Sequence, residues 1–204
     1  MLDRRHWSGL RLRQAGLSLA TLLAPLSTWA APQPFQLQND SGQALPGAAV
    51  IVLVKGARAQ ATPGTVADMA QKDKAFVPRL RVIQTGSAVN FPNFDTVRHH
   101  VYSFSPTKPF EIKLYAGTPA APVVFDKPGT ATLGCNIHDR MLGYIHVVDT
   151  PYFGVTDANG AVSIDIPPGE HRVRVWLPAM GETSAGIEQP FKAGSDPIVI
   201  RIKP

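Results

Sequence analysis

The 204-residue sequence has one cysteine, Cys135. This excludes an intramolecular disulfide framework, a four-cysteine zinc or iron–sulfur site, and the paired-thiol attachment of a c-type haem. Charge is also scarce, at 17% of residues against about one quarter in an ordinary soluble domain. No run approaches the roughly 20 apolar residues of a membrane-spanning helix, and almost no window repeats its apolar residues with a helical period. A G-x-S-x-G elbow, a phosphate-cradling glycine loop and a recognisable catalytic carboxylate pair are missing as well, so nothing marks the chain as an enzyme. What is abundant is punctuation: 17 Gly and 19 Pro spread along the whole length, between short β-branched and aromatic runs.

The first thirty residues read as an export signal. Arg4, Arg5, Arg11 and Arg13 make a basic start, Ala15 to Leu26 is an apolar stretch, and Thr28-Trp29-Ala30 offers small residues to a signal peptidase. Cleavage after Ala30 is expected, and with it a periplasmic location; the competing reading is an uncleaved amphipathic anchor. Removing the segment takes away four Arg and Asp3, leaving a net charge of about +2 from the formal +5. With no Lys/Arg cluster, nucleic acid and anionic lipid are excluded as partners.

The mature chain is expected to be all-β, from strands bounded by Gly, Pro, Asn and Asp. Candidate strands are Ala48 to Lys55, Arg79 to Gln84, Ala88 to Phe91, His100 to Ser105, Phe110 to Leu114, Thr130 to Cys135, Tyr144 to Val148, Ala161 to Ile166, Arg172 to Leu177 and Pro197 to Ile202. Thr65 to Gln71 reads as a short helix or an irregular excursion. Ten strands in this length suit two small sandwiches better than one barrel. A boundary falls near Thr150-Pro151, followed by turns at Asp157-Ala158-Asn159-Gly160 and Pro167-Pro168-Gly169.

The chemistry concentrates in the centre. Cys135, His138 and Met141 stand at i, i+3 and i+6, with His99-His100 upstream. A thiolate, two imidazoles and a weak thioether form the donor set of a blue-copper centre. Cys135 ends a strand, so a short loop can fold His138 and Met141 back around one ion while a neighbouring strand supplies the second imidazole. Met69 and Met180 read as core methionines, His146 as a satisfied or outward histidine, and His171 as solvent exposed beside its proline turn.

Residues 69 to 149 resemble a cupredoxin of the plastocyanin and amicyanin group. Asn93-Phe94-Asp95 with His99-His100-Val101, and Gly134-Cys135 through Met141-Leu142-Gly143, resemble that group's upstream motif and ligand loop, the C-x-x-H-x-x-M spacing being closest to amicyanin. The segment TDANGAVSIDIPPGEHRVRVWLP, with the opening Asn39 to Ala48, resembles a carboxypeptidase regulatory-like, or prealbumin-like, β-sandwich module. The chain as a whole resembles secreted cupredoxin-like proteins labelled methylamine utilization proteins, through HHVYSFS, CNIHD and VVDTPYF.

These resemblances imply a cupredoxin-type Greek-key β-sandwich over 63–149, inserted in or joined to a discontinuous sandwich over 31–62 and 150–204, after a signal peptide over 1–30. The metal ligands they imply are His99, Cys135, His138 and Met141 around one type 1 copper per chain. They imply a monomeric periplasmic one-electron carrier, exchanging electrons with other periplasmic redox proteins through the edge of His138. His100 stands where the family usually has Asn or Asp and could compete as a ligand, and Ile137 and Asp139 replace the family's prolines. The competing functions are copper storage or delivery, which three methionines in the mature chain disfavour, and a metal-free interaction module.

Overall fold

The computed structural model describes residues 30–58, 60–119 and 121–203, so the expected export signal lies outside the described residues except for Ala30. The described chain is all-β, with a single 3-10 turn at Pro178–Met180. Among the described residues no helix is long and apolar enough to cross a membrane.

Four sheets stack face to face. The first orders β14 (Ala161–Ile166), β1 (Ala31–Asn39) and β17 (Ile198–Ile202). The second orders β13 (Phe153–Val155), β2 (Ala49–Leu53), β15 (Glu170–Trp176) and β16 (Ile187–Lys192). The third orders β6 (Leu80–Gln84), β12 (Leu142–Val148), β11 (Gly129–Gly134), β8 (His99–Ser103) and β9 (Phe110–Tyr115). The fourth orders β10 (Val123–Phe125), β7 (Ser87–Asn90) and β3 (Val66–Asp68), with a hairpin of β4 (Ala70–Lys72) and β5 (Ala75–Val77) beside it.

Side-chain alternation explains the stacking. In β2, Val50 and Val52 enter a cluster with Phe35, Leu37, Ile164, Val173 and Ile200, while Ala49 and Ile51 enter another with Leu80, Val82, Tyr144 and Trp176. In β12, Tyr144 and Val148 face that second cluster, and Ile145 and Val147 face a third containing Met69, Phe91, Phe125, Leu133, Cys135 and Met141. Both strands are therefore buried on two faces, and they read as the near-continuous apolar runs AVIVL and YIHVV. Each large side chain buried this way contributes roughly 1.5–3 kcal/mol.

All ten expected strands form, with ends shifted by at most two residues. Thr65 to Gln71 is neither helix nor excursion: Val66 to Asp68 pairs in parallel with Ala88 to Asn90, and Ala70 to Lys72 forms half of a hairpin. The Arg81 guanidinium donates twice to the Asp68 carbonyl, at 2.8 and 3.1 Å, and ties the end of this short strand to β6. Strand β1 escaped the sequence reading because Pro32 and Pro34 argue against a strand. They are tolerated because β17 joins β1 only from Phe35 onward, leaving the earlier half unpaired on one side. His171 is half-buried rather than solvent exposed, its Nε2 lying 2.8 Å from the Pro167 carbonyl oxygen where the proline turn folds back. Met69 is fully buried, as its core reading requires.

His146 is satisfied within the stack. It is 8% exposed, lies 2.9 Å through Nδ1 from the Thr130 hydroxyl, and stacks on Trp176 with ring centroids 5.1 Å apart. Burial, with a smaller effect of the Arg174 guanidinium, pushes its pKa down from 6.5 to about 4. Asp149, Arg174 and Glu182 are the charged residues that line the same cleft. The unfolded imidazole takes a proton near 6.5 and the folded one only near 4. Stability is therefore full above about 6.5 and falls as pH drops through this window, by up to about 3 kcal/mol. Urea melts of wild type and His146→Gln at pH 7 and pH 4.5 are expected to differ: wild type loses more stability than the variant. Equal losses would remove His146 from the acid sensitivity.

Candidate metal centre

The ligand loop folds in steps of three. The N–H of His138 donates to the Cys135 carbonyl at 3.4 Å, and the N–H of Met141 donates to the His138 carbonyl at 2.9 Å. Two consecutive turns thus return positions i, i+3 and i+6 to one side of the loop, between the end of β11 and the start of β12. Cys135 and Met141 are buried in one apolar cluster; His138 is half-buried at the rim, with Ile137, Asp139 and Arg140 around it.

β8 delivers the second nitrogen. His99 is fully buried, and its Nδ1 lies 3.8 Å from the Cys135 sulfur, while His138 Nδ1 lies 3.9 Å from the same atom. The His99 and His138 rings are 5.0 Å apart. One donor atom from each of His99, Cys135 and His138 falls within 4.8 Å of the others. Bonds of about 2.0–2.1 Å to nitrogen and about 2.3 Å to thiolate sulfur, splayed around one ion, put sulfur and nitrogen about 3.6–3.8 Å apart. The observed 3.8 and 3.9 Å fall at and 0.1 Å beyond the upper end of that range, so a small closure of the loop lets the residues hold a soft first-row metal ion.

His99 is aimed by Asp95. The Asp95 carboxylate sits 2.7 Å from His99 Nε2, which leaves Nδ1 directed at the thiol. Asp95 is itself fixed, accepting from the backbone N–H groups of Asp73 at 2.7 Å and Lys74 at 3.0 Å. Its own N–H donates to the Asn93 side chain, whose amide bonds the Val97 carbonyl. Burial raises the Asp95 pKa, but the bonds from Lys74, His99 and Asp73 outweigh it and hold the carboxyl below its ordinary 3.8. A carboxylate behind a ligating histidine fixes its tautomer and its orientation.

His100 lies outside the donor group. Its Nε2 is 2.8 Å from Glu111, and its ring packs on Tyr102 at 5.6 Å. The β8–β9 ladder is irregular here, with three steps of β9, from Tyr115 to Ile112, spanning two steps of β8. Three contributors had no role assigned from the sequence. Asp95 stands four residues before His99, a spacing that is itself a signal. Tyr115 and Gln71 carry no such mark: the Tyr115 hydroxyl donates to the Phe91 carbonyl at 2.7 Å, accepts from the Gln71 amide, and by burial is pushed up to about 12.

Among solved structures, half of this chain is similar to cupredoxins. A copper-containing nitrite reductase from Thermus scotoductus SA-01 is 27% identical over 48% of this chain, with a TM-score of 0.37, and the match spans 25% of that enzyme's length. Amicyanin from Paracoccus versutus is 16% identical over 48% of this chain and 97% of its own, with a TM-score of 0.35. A purple cupredoxin from Nitrosopumilus maritimus is 19% identical over 41% of this chain and 99% of its own, also with a TM-score of 0.35. No family model matches the chain, and no curated protein matches it.

Asp95→Asn is expected to lower metal affinity 10–100-fold by loosening His99, whereas His100→Ala should leave it within about twofold. Titration with Co(II), followed by its thiolate charge-transfer absorption, measures both. Loss of binding in His100→Ala with retention in Asp95→Asn would reassign the upstream ligand.

Proposed function

We propose that the chain is a periplasmic one-electron carrier that holds one copper ion through His99, Cys135 and His138, with Met141 as a weak axial donor. The observation that supports this best is the convergence of one thiol sulfur and two imidazole nitrogens, 3.8 and 3.9 Å from it, in an apolar pocket. Copper bound there would supply a Cu(II)/Cu(I) couple tuned by the thiolate, the axial sulfur and the hydrophobic surroundings.

The residues have distinct tasks in this reading. Asp95 and the turns of the ligand loop hold the imidazoles in place, so that little geometry changes with oxidation state. Phe91, Val101, Leu133 and Ile145 keep water from the sulfur. His138, at the rim, is the port for electrons, and Asp139 and Arg140 border the surface on which a charged redox partner docks. Residues 63–149 form the electron-transfer unit, and 31–62 with 150–204 form the sandwich that supports it.

Copper-loaded, oxidised protein is expected to give an intense visible thiolate-to-copper band and a small parallel hyperfine coupling in its EPR spectrum. Cys135→Ser should lose both, since a hydroxyl is a hard, weakly acidic ligand. A wild-type spectrum without the band would sink this reading. Met141→Leu should stay blue but raise the reduction potential by on the order of 60 mV, a tenfold change in relative stability of the two oxidation states. Cyclic voltammetry is the check, and an unchanged or lowered potential would make Met141 a core residue only.

A further inference from the structure

β8 carries His99 and β11 runs directly into Cys135; the two strands are neighbours in the third sheet, yet their ladder registers at one pair only, Gly134 opposite Tyr102. β11 registers with β12 at six pairs. The Tyr102 ring packs over Gly134, where an added Cβ would come within 2.6 Å of it. The Thr132 N–H, three residues before Cys135, donates instead to the Ser105 hydroxyl at 2.8 Å, just past the end of β8. That hydroxyl, in a residue 3% exposed, donates its own proton to Glu182 at 2.5 Å.

Glu182 belongs to neither strand. It follows the 3-10 turn Pro178–Met180 in the flanking sheets, and it reaches across the cleft between the second and third sheets. A hydroxyl has one proton and two lone pairs, so Ser105 can accept from Thr132 and donate to Glu182 at once. A carboxylate acceptor polarises the hydroxyl and strengthens its hold on the Thr132 amide. Consistent with this, hydrogen bonding from the Ser105 hydroxyl and from the Thr132 side chain outweighs burial and keeps the Glu182 carboxyl below its ordinary 4.5.

We propose that Glu182 is a positioning residue: acting through Ser105, it fixes the separation of the two strands that present His99 and Cys135. The consequence for bound copper rests on the function proposed above; the clamp between strands does not.

The test compares full-length wild type, Glu182→Ala and Glu182→Gln. In metal-free protein, amide exchange at Thr132 is expected to rise about tenfold in Glu182→Ala, the loss of one charge-assisted hydrogen bond, while Ile145 on β12 keeps its wild-type rate. Glu182→Gln, which retains an oxygen acceptor, should recover most of the protection. In Cu(II)-loaded protein the thiolate-to-copper band should shift in Glu182→Ala and return in Glu182→Gln. Unchanged Thr132 exchange, or an equal rise at Ile145, overturns the clamp. A responsive Thr132 with an unshifted copper band overturns the positioning role. A responsive Thr132 in a chain whose wild type gives no blue band sustains the clamp and defeats the copper reading.

Discussion

The two-sided burial of β12 is the constraint on which the structure turns. The strand leaves the ligand loop at Leu142 and is buried from Gly143 to Val148. One face, Ile145 and Val147, packs the cluster that contains Cys135 and Met141; the other, Tyr144 and Val148, packs against Trp176 and Ile51 of the second sheet. A strand held on both faces cannot slip its register without exchanging every side chain between two cores. The end of β12 therefore provides a fixed anchor for the loop, and the loop's two turns need only close the remaining distance.

The same burial explains the aromatic and polar content of the cleft between the second and third sheets. Tyr144 meets Trp176 edge-on at 5.5 Å, His146 stacks on the same indole at 5.1 Å, and Trp176 donates to the Gly181 carbonyl at 3.1 Å. The indole N–H and His146 Nδ1 each have a partner while the ring faces do the packing. The flanking sheets close around this interface from both chain directions. β2 pairs with β13 across about a hundred residues, and the Thr150 hydroxyl bonds the Val52 carbonyl where the chain comes back. The two ends of the intervening segment are thereby tied to one strand pair.

Much of this was legible. The strands with β-branched runs were readable because pattern and burial agree, and the i, i+3, i+6 donors were readable because a tight loop forces the spacing. Strands β3, β4, β5, β10 and β13 were not. Each has three residues, too few for an alternation to register, and their pairing is imposed by neighbours. β1 hid behind two prolines whose harmlessness depends on where β17 begins. Glu182 and Ser105 lie 77 positions apart in the chain, and nothing local in either segment marks the contact. His171 was misread because its ring folds back onto its own turn, a return path set by the proline geometry and by Phe191 beneath it.

Asp95 links a strained turn to the donor group. The β4–β5 hairpin turns through Asp73 and Lys74, with φ of 54° and 56°, a left-handed conformation that a two-residue hairpin turn demands and that glycine or asparagine usually supplies. Two side-chain-bearing residues there cost on the order of 1 kcal/mol or more each. Both of their N–H groups donate to Asp95, and hydrogen bonds to a charged group contribute about 1.5–3 kcal/mol apiece, enough to offset the strain. The carboxylate that steadies the turn is thus the one that faces His99 Nε2. The hairpin and the imidazole share one anion, so the orientation of the buried histidine is set by a turn in a different strand pair as well as by β8.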